Sequence, residues 1–162
     1  MDNRKVLIVA FATLFGLLLS MRAFAQEEIV KKRKDFMNEQ YDSLKAIKKA
    51  VEQKDYSTVE LKAKDIMGSM DRLPEYFPKG STGEKSRAKP EIWERPDEFK
   101  RDALKVKEVA GELAQAAAAK DEARVQTQFK ALGPESPFKS GACFECHKEF
   151  RSSPPPAKKS EG

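Results

Sequence analysis

The residues best suited to chemistry in this 162-residue sequence lie together near the C-terminus. The sequence contains two cysteines and one histidine, and all three fall within Cys143-Phe144-Glu145-Cys146-His147. On a helix, residues at i, i+3 and i+4 share one face, so both sulfurs and the imidazole project to the same side. The two thiols can then add to the two vinyl groups of one haem, and the imidazole can bind its iron axially. The spacing therefore predicts one covalently attached haem c, with His147 as an iron ligand.

Three other kinds of site use similar residues. A zinc site takes about four ligands, whereas this sequence supplies two Cys and one His. A thioredoxin-like redox pair lies between a strand and a helix, which is a context that a helix-rich sequence does not offer. A disulfide across two intervening residues would be strained and would close only a short loop. Haem attachment is favoured over all three.

The N-terminal residues 1–25 have the pattern of a cleaved export signal. Arg4 and Lys5 precede an apolar run, Val6–Leu19, and Ala23-Phe24-Ala25 follows as a small-x-small cleavage site. The apolar run is shorter than the roughly 20 residues that span a bilayer, so cleavage is favoured over an uncleaved membrane anchor. We therefore expect a periplasmic mature chain that has no membrane contact after cleavage. Export fits the motif, because c-type haem attachment is typically completed outside the cytoplasm.

Hydrophobic periodicity predicts an all-α haem-binding domain over residues 26–151. Helix-forming residues dominate, 35% of the residues are charged, and runs of β-branched residues are nearly absent. Apolar residues recur at spacings of three, four and seven in four segments, which is the pattern of amphipathic helices. The segments cover approximately residues 27–53, 57–73, 97–119 and 121–151. Four such helices joined by three connections predict an antiparallel four-helix bundle.

The connections carry their own signals. Ser57 or Thr58 is suited to cap the second helix, which is expected to stop before Pro74. Residues 74–96 form a long crossover between helices 2 and 3, which Phe77, Ile92 and Trp93 can pin to the core. Proline interrupts the fourth helix within residues 133–137, so we expect two pieces near 121–132 and 140–151. The polar, Pro-rich residues 152–162 are predicted to be a disordered tail.

The sequence resembles the class II c-type cytochromes, the family that includes cytochrome c prime and its low-spin relatives. The resemblance rests on RKDFM at 33–37, on LPEYFPKGS and KPEIWERPDEF in the crossover, and on CFECHKEFR at 143–151. It implies a four-helix bundle that holds one haem between its helices. The family usually runs its fourth helix straight into the haem motif, whereas here the Pro-containing insert intervenes.

The resemblance also implies roles for three further residues. Met37 occupies the position that faces the distal side of the haem, and it is similar to the Met ligand of the low-spin members. Arg33 and Arg151 occupy positions close to the haem, where a guanidinium suits the propionate carboxylates. The alternatives are core packing for Met37 and an ordinary exposed side chain for each arginine. Met67 and Met70 lie on the apolar stripe of the second helix and are expected to fill the core.

The family resemblance leaves two functions open. With Met37 as sixth ligand the haem would carry single electrons, whereas an open sixth position would bind nitric oxide or carbon monoxide. We expect a carrier rather than an enzyme, because peroxidase chemistry needs a distal acid–base group and the sole His is already used as the proximal ligand. Weak peroxidase activity is the outside alternative. Without residues 1–25 the net charge falls from +5 to +3, which is too weak to imply nucleic acid. The expected partners are transient redox proteins, and the chain is expected to be a monomer or a homodimer.

Overall fold

The computed structural model describes residues 3–83, 85–133 and 140–153, and describes side chains from Phe24 onward. Within these ranges every regular element is a helix, and the β pairing is limited to one antiparallel bridge between Ala88 and Arg151, which confirms the predicted all-α class. The elements are α1 (Asn3–Glu52), α2 (Tyr56–Ser69), a 3₁₀ turn (Met70–Tyr76), α3 (Glu91–Glu94), α4 (Pro96–Ala118), α5 (Glu122–Leu132) and α6 (Ala142–Phe150).

The long helices form the predicted bundle. The second long helix, α2, packs against both α1 and α4, and α4 in turn packs against α5 and α6. The apolar stripes meet in one core, because each amphipathic helix can leave water only by burying its stripe against its neighbours. The largest fully buried side chains are Ile47, Val59, Ile66, Leu113, Val125 and Leu132.

The second helix ends earlier than its apolar pattern predicts. The α-helix stops at Ser69, and the chain continues as a 3₁₀ turn that contains Pro74. Proline lacks the N–H that an α-helix needs and disfavours the α conformation of the residue before it. The 3₁₀ turn closes instead through Phe77 N–H, which donates to the Pro74 carbonyl at 3.0 Å. The prediction that the second helix extends to Leu73 is therefore wrong.

The crossover is anchored to the core, as the sequence predicts. Ile92 is buried in the short helix α3, and Trp93 Nε1 donates to the Phe77 carbonyl at 3.0 Å. Phe77 in turn lies edge-on to Phe99 of α4, with the ring centroids 4.9 Å apart. The three side chains expected to pin the crossover do so, which gives the segment a fixed course over the bundle.

The cap of α2 differs from the prediction. Asp55, rather than Ser57 or Thr58, is the N-cap, and its carboxylate accepts a hydrogen bond from Thr58 N at 3.1 Å. The Ser57 and Thr58 hydroxyls lie inside the first turn and donate to the same carboxylate at 2.7 and 2.6 Å. An ionised carboxylate can accept all three bonds, which a single hydroxyl cannot. These hydrogen bonds lower the pKa of Asp55 to about 2.

We expect Asp55→Ala to lower the Tm at pH 7 by a few degrees, because it removes this cap. The folded pKa of Asp55 lies below its unfolded value of about 3.9, so its contribution is complete above that value. It disappears as the pH falls towards 2, and the difference in Tm should shrink over that range. Thermal melts followed by circular dichroism would measure both effects. Asp65→Ala, an exposed ion-pair residue of the same helix, is the control; equal melting of the wild type and Asp55→Ala at pH 7 would contradict the prediction.

The proline interruption of the fourth helix is confirmed. Helix α5 ends at Leu132, and α6 begins at Ala142, close to the predicted pieces. The insert residues 134–139 lie outside the described residues. Gly133 caps α5 in the left-handed conformation, with a φ of 101°. A residue without a Cβ adopts this conformation at little cost, so the break begins at a glycine.

The predicted signal and tail lie at the two ends of the chain, which the structure describes in part. The helix α1 continues through the predicted cleavage motif at residues 23–25, and the apolar run Val6–Leu19 lies outside the side chains described. Among the residues that were searched, no helix combines the length and apolar character needed to cross a membrane. Ser152 N–H donates to the Arg87 carbonyl at 2.8 Å, so the predicted disorder is wrong for Ser152. The rest of the tail from 154 lies outside the described residues.

Candidate haem site

The CxxCH residues lie on α6, and α6 is held firmly against the bundle. Phe150 at its C-terminal end is 3% exposed and lies edge-on to Phe99 of α4, with the centroids 5.2 Å apart. Cys143 and Cys146 are partly buried and pack against the same core. The helical spacing therefore places both sulfurs on the inner side of α6, and His147 follows immediately on that face.

Burial sets the protonation of the three motif side chains. Burial, together with the positive charges of Arg151 and Arg87, lowers the pKa of His147 to about 4. The imidazole is therefore neutral at pH 7, which is the form that binds iron. Burial also raises the pKa values of Cys143 and Cys146 to about 12. A catalytic thiol pair needs a lowered pKa, so these environments do not favour the thioredoxin-like alternative.

In the described part of the chain, α1 packs only sparsely against the two pieces of the fourth helix. Helix α1 contacts α2 and has only a small contact with α5. In the described part of the chain, α1 does not contact α6. In a four-helix bundle the fourth helix lies beside the first, so we infer that the inner face of α6 borders a gap, called the seam below, whose other wall is α1. A flat group attached to the two cysteines would have this seam to fill.

Of the three methionines after residue 25, Met67 and Met70 fill the core as the sequence predicts, and Met37 lies elsewhere. Met70 is 8% exposed within the core, and the Met67 sulfur lies between α2 and Gly111 of α4. Both are used in packing around α2. Met37 lies on α1, one turn after Arg33, and is partly buried against the core. It is the methionine on the helix that faces α6 across the seam.

Arg33 is not the ordinary exposed arginine that the sequence left as an alternative. Its side chain enters the crossover, and the residue is 6% exposed. Nε donates to the Tyr76 carbonyl at 3.0 Å, and Nη2 donates to the Ser81 carbonyl and hydroxyl at 3.2 and 2.6 Å. Nη1 donates to the Ser86 hydroxyl at 3.0 Å. Four of its five N–H groups are thus directed at the crossover, and the propionate role stays a prediction.

Arg151 is exposed, in agreement with the simpler alternative. Its backbone N–H donates to the His147 carbonyl at 3.0 Å, which closes the last turn of α6. Although the residue as a whole is exposed, partial desolvation of the guanidinium lowers the pKa of Arg151, and the nearby positive charge of Arg87 lowers it too. Two guanidinium groups therefore lie near His147, and a carboxylate in their vicinity would be stabilised. A role for Arg151 at a haem propionate stays a prediction.

Sequence reasoning missed two features that position α6. Lys89 of the crossover donates through Nζ to the carbonyls of Lys148 and Glu149, at 3.1 and 2.8 Å, at the C-terminal end of α6. Gly133 and Gly141 make a close backbone contact where α5 ends and α6 begins. Lys89 is distant from α6 in the sequence, so no local pattern of residues could have predicted their contact. The two glycines flank the Pro-containing insert, which was a visible signal of a turn at each end.

The donor set and its surroundings fit a haem c. Two thiols and a neutral imidazole share one face of a helix, and that face borders a seam between helices that do not touch. Cys143 and Cys146 would hold the group covalently, His147 would bind its iron, and α1 would cover its other side. The fit rests on the donor chemistry and on the open seam.

The sequence model of the cytochrome c′ family matches residues 28–151. The chain is 34% identical over 154 residues to the cytochrome c-556 of Agrobacterium fabrum, covering 91% of this chain and 96% of that protein. It is 42% identical over 90 residues to the cytochrome c′ of Pararhodospirillum photometricum, covering 55% of this chain. The matched part is 66% of the length of the Pararhodospirillum photometricum protein. For the cytochrome c′ of Rhodospirillum rubrum, the matched part is 57% of that protein's length.

Solved structures show the same fold. A cytochrome c′ described by its ligand-controlled dimer dissociation superposes with a TM-score of 0.68 at 24% identity, covering 79% of this chain and 97% of that one. A nitric oxide complex of a variant cytochrome c′ from Alcaligenes xylosoxidans gives 0.67 at 20% identity, covering 80% and 97%. Together with the family match and the CxxCH site beside the seam, this places the chain in the cytochrome c′ family of class II c-type cytochromes.

Proposed function

We propose that the chain carries one haem c, attached through Cys143 and Cys146, with His147 as the proximal ligand of the iron. The observation that carries this proposal is the placement of both sulfurs and a neutral imidazole on the face of α6 that borders the α1 seam. The bound haem would supply one-electron redox chemistry. The protein would enclose it in an apolar seam, which limits access of water to the iron.

Our first candidate function is electron transfer, with Met37 as the sixth ligand. Met67 and Met70 are used in packing around α2, whereas Met37 lies on the helix across the seam from α6. A thioether on this wall would complete His/Met coordination, which raises the reduction potential relative to an iron held by His alone. Such a protein would be a carrier rather than an enzyme, and its redox partners would bind transiently.

The second candidate is the binding of nitric oxide or carbon monoxide at an open sixth position. The comparisons support it more directly, since relatives named cytochrome c′ are among the matches and one solved neighbour is a nitric oxide complex. In this case Met37 would pack against the core without binding the iron. The two candidates share the haem, its attachment and His147, and they differ only in what Met37 does.

Absorption spectra of the wild type, Met37→Leu and Met67→Leu decide between the candidates. If Met37 binds the iron, the oxidised wild type is low-spin and shows the weak far-red band of a sulfur–iron bond. Met37→Leu then loses this band, becomes high-spin and binds carbon monoxide readily, because Leu keeps the volume but offers no ligand. Met67→Leu is the matched control and should keep the wild-type spectrum.

A high-spin wild type that binds carbon monoxide readily would overturn Met37 ligation and establish the second candidate. A low-spin wild type whose far-red band survives in Met37→Leu would also exclude Met37 as the ligand. The reduction potential gives an independent reading, since loss of a Met ligand lowers it.

Export and assembly complete the proposal. We propose that residues 1–25 direct the chain to the periplasm and are removed there, that residues 26–151 form the haem-binding bundle and that a short tail follows. We further propose that the mature protein is a monomer or a homodimer. Tyr41 of α1 and Leu61 of α2 are large exposed side chains that a second copy could cover. Light scattering of the holoprotein would give the oligomeric state, and mass spectrometry would give the first residue.

A further inference from the structure

The crossover contains a segment that contacts both walls of the open seam. We call this segment the strap and define it as residues 76–83 and 85–89. It leaves the 3₁₀ turn at Tyr76, passes Arg33 of α1 and reaches the C-terminal end of α6 at Lys89. Because α1 and α6 do not contact each other in the described part of the chain, the strap is a direct connection between them.

Arg33 anchors the strap to α1. Its guanidinium makes four hydrogen bonds to Tyr76, Ser81 and Ser86, and its central carbon lies 4.2 Å from the centroid of the Phe77 ring. Burial lowers the pKa of Arg33 to about 10. A buried cation is tolerated only when its donors are satisfied, so the strap has to keep the conformation that supplies these acceptors.

Two sets of backbone contacts anchor the strap to α6. The Lys89 backbone N–H donates to the Phe150 carbonyl at 3.1 Å. The Lys89 ammonium group donates to the carbonyls of Lys148 and Glu149, the two residues before Phe150. A cation at the C-terminus of a helix is favoured by the helix dipole as well as by the hydrogen bonds. Arg87 and Ser152 bond reciprocally: Ser152 N donates to the Arg87 carbonyl at 2.8 Å, and Arg87 Nε donates to the Ser152 carbonyl at 2.9 Å.

The two anchors meet at adjacent residues. The Ser86 hydroxyl oxygen accepts from Arg33 Nη1 at 3.0 Å and from Ala88 N at 3.2 Å. Ala88 forms the bridge with Arg151, directly after α6, and Arg87 holds Ser152. A displacement of Arg33 would therefore reach the end of α6 through three consecutive residues. His147 lies one turn before that end, and Met37 lies one turn after Arg33.

We propose that Arg33 is a positioning residue that, through the strap, fixes the separation of α1 and α6 and thereby the approach of Met37 to the iron held by His147. The inference rests on the proposed haem site between these helices. It assigns Arg33 a role that acts through protein contacts and does not depend on a bond from Arg33 to a propionate.

The test compares holoprotein variants Ser86→Ala and Arg33→Lys with Asp55→Ala. Ser86→Ala removes one link of the strap and keeps Arg33 buried, whereas Arg33→Lys removes the planar set of donors. Asp55→Ala perturbs the α1–α2 turn, beyond the C-terminal end of α1 and about six helical turns from Arg33, and controls for a general loss of stability. The first readout is the rate of carbon monoxide binding to the reduced protein, and the second is hydrogen exchange of the Lys89 and Ser152 amides.

We expect Ser86→Ala to increase the carbon monoxide binding rate by about thirtyfold, which corresponds to the loss of the two hydrogen bonds that the Ser86 hydroxyl accepts. Arg33→Lys should increase it further, and both variants should speed exchange of the Lys89 and Ser152 amides. Asp55→Ala should leave the rate and these amides unchanged. Unchanged rates and unchanged amide exchange in Ser86→Ala would overturn the proposal, as would equal increases in Asp55→Ala.

The outcomes for the strap and for Met37 can be told apart. A high-spin wild type would refute Met37 ligation, and faster amide exchange with a changed carbon monoxide rate in Ser86→Ala would still establish that the strap sets the width of the seam. A low-spin wild type with a far-red band that Met37→Leu removes, and with no change in Ser86→Ala, would establish Met37 ligation and refute the strap.

Discussion

Replacing either Cys143 or Cys146 with Ala is expected to reduce the yield of mature holoprotein to below about a tenth of the wild type. Each variant keeps only one attachment point, and the apolar faces that border the seam between α1 and α6 are then left without the group that covers them. A bundle of this size has a limited core, so an unfilled seam costs a large fraction of its stability. Haem content per polypeptide, measured after export, is the readout.

Glu145→Gln is the matched control for these variants. Glu145 lies between the two cysteines, is exposed, and makes a surface ion pair with Lys148 at 3.7 Å, so its loss should not change the yield. The wild-type protein should also keep its haem when it is denatured and extracted with acidified organic solvent. Haem that leaves the wild-type chain, or normal holoprotein from both cysteine variants, would refute covalent attachment through the two sulfurs.

The features predicted correctly from the sequence are those that depend on local spacing. The CxxCH motif places three side chains on one helical face whatever surrounds them, and the apolar periodicity places each helix against a core. Pro134 and Pro137 cannot continue a helix, so the break between α5 and α6 also follows from residue type. In each case the cause lies within a few residues of its effect.

The features that could not be predicted depend on contacts between distant segments. The acceptors of Arg33 lie in the crossover, and the ammonium group that closes α6 belongs to Lys89. No pattern in one sequence pairs such residues, because hydrogen-bond partners across a bundle are set by the packed fold. The prediction of the α2 cap was wrong for a different reason. Asp, Ser and Thr are all favoured at N-caps, and the geometry of the turn selects Asp55 over Ser57 and Thr58.

The contact between Gly133 and Gly141 fixes where the haem helix begins. Both residues have positive φ values, 101° and 90°, and a Cβ on Gly141 would lie 2.6 Å from the backbone nitrogen of Gly133. A Cβ on Gly133 would lie 2.7 Å from the Ser140 carbonyl and 3.7 Å from the Cys143 Cβ. The end of α5 and the start of α6 are thus in backbone contact, two residues before the first attachment cysteine. Neither backbone can accept a side chain here without moving α6.

Gly141→Ala is therefore expected to lower both the Tm and the haem content of the mature protein. A non-glycine residue at this φ costs about 1–3 kcal/mol, and the backbone clash adds to that cost, so a drop in Tm of about 5–10 °C is expected. The start of α6 has to shift to relieve the clash, which moves Cys143 relative to the seam and reduces attachment. Gly68→Ala is the matched control, because a Cβ at Gly68 of α2 meets nothing within 4 Å and Ala favours the helix. Thermal melts and haem per polypeptide should therefore separate the two variants, and a Gly141→Ala protein with wild-type values of both would show that this contact does not position the haem helix.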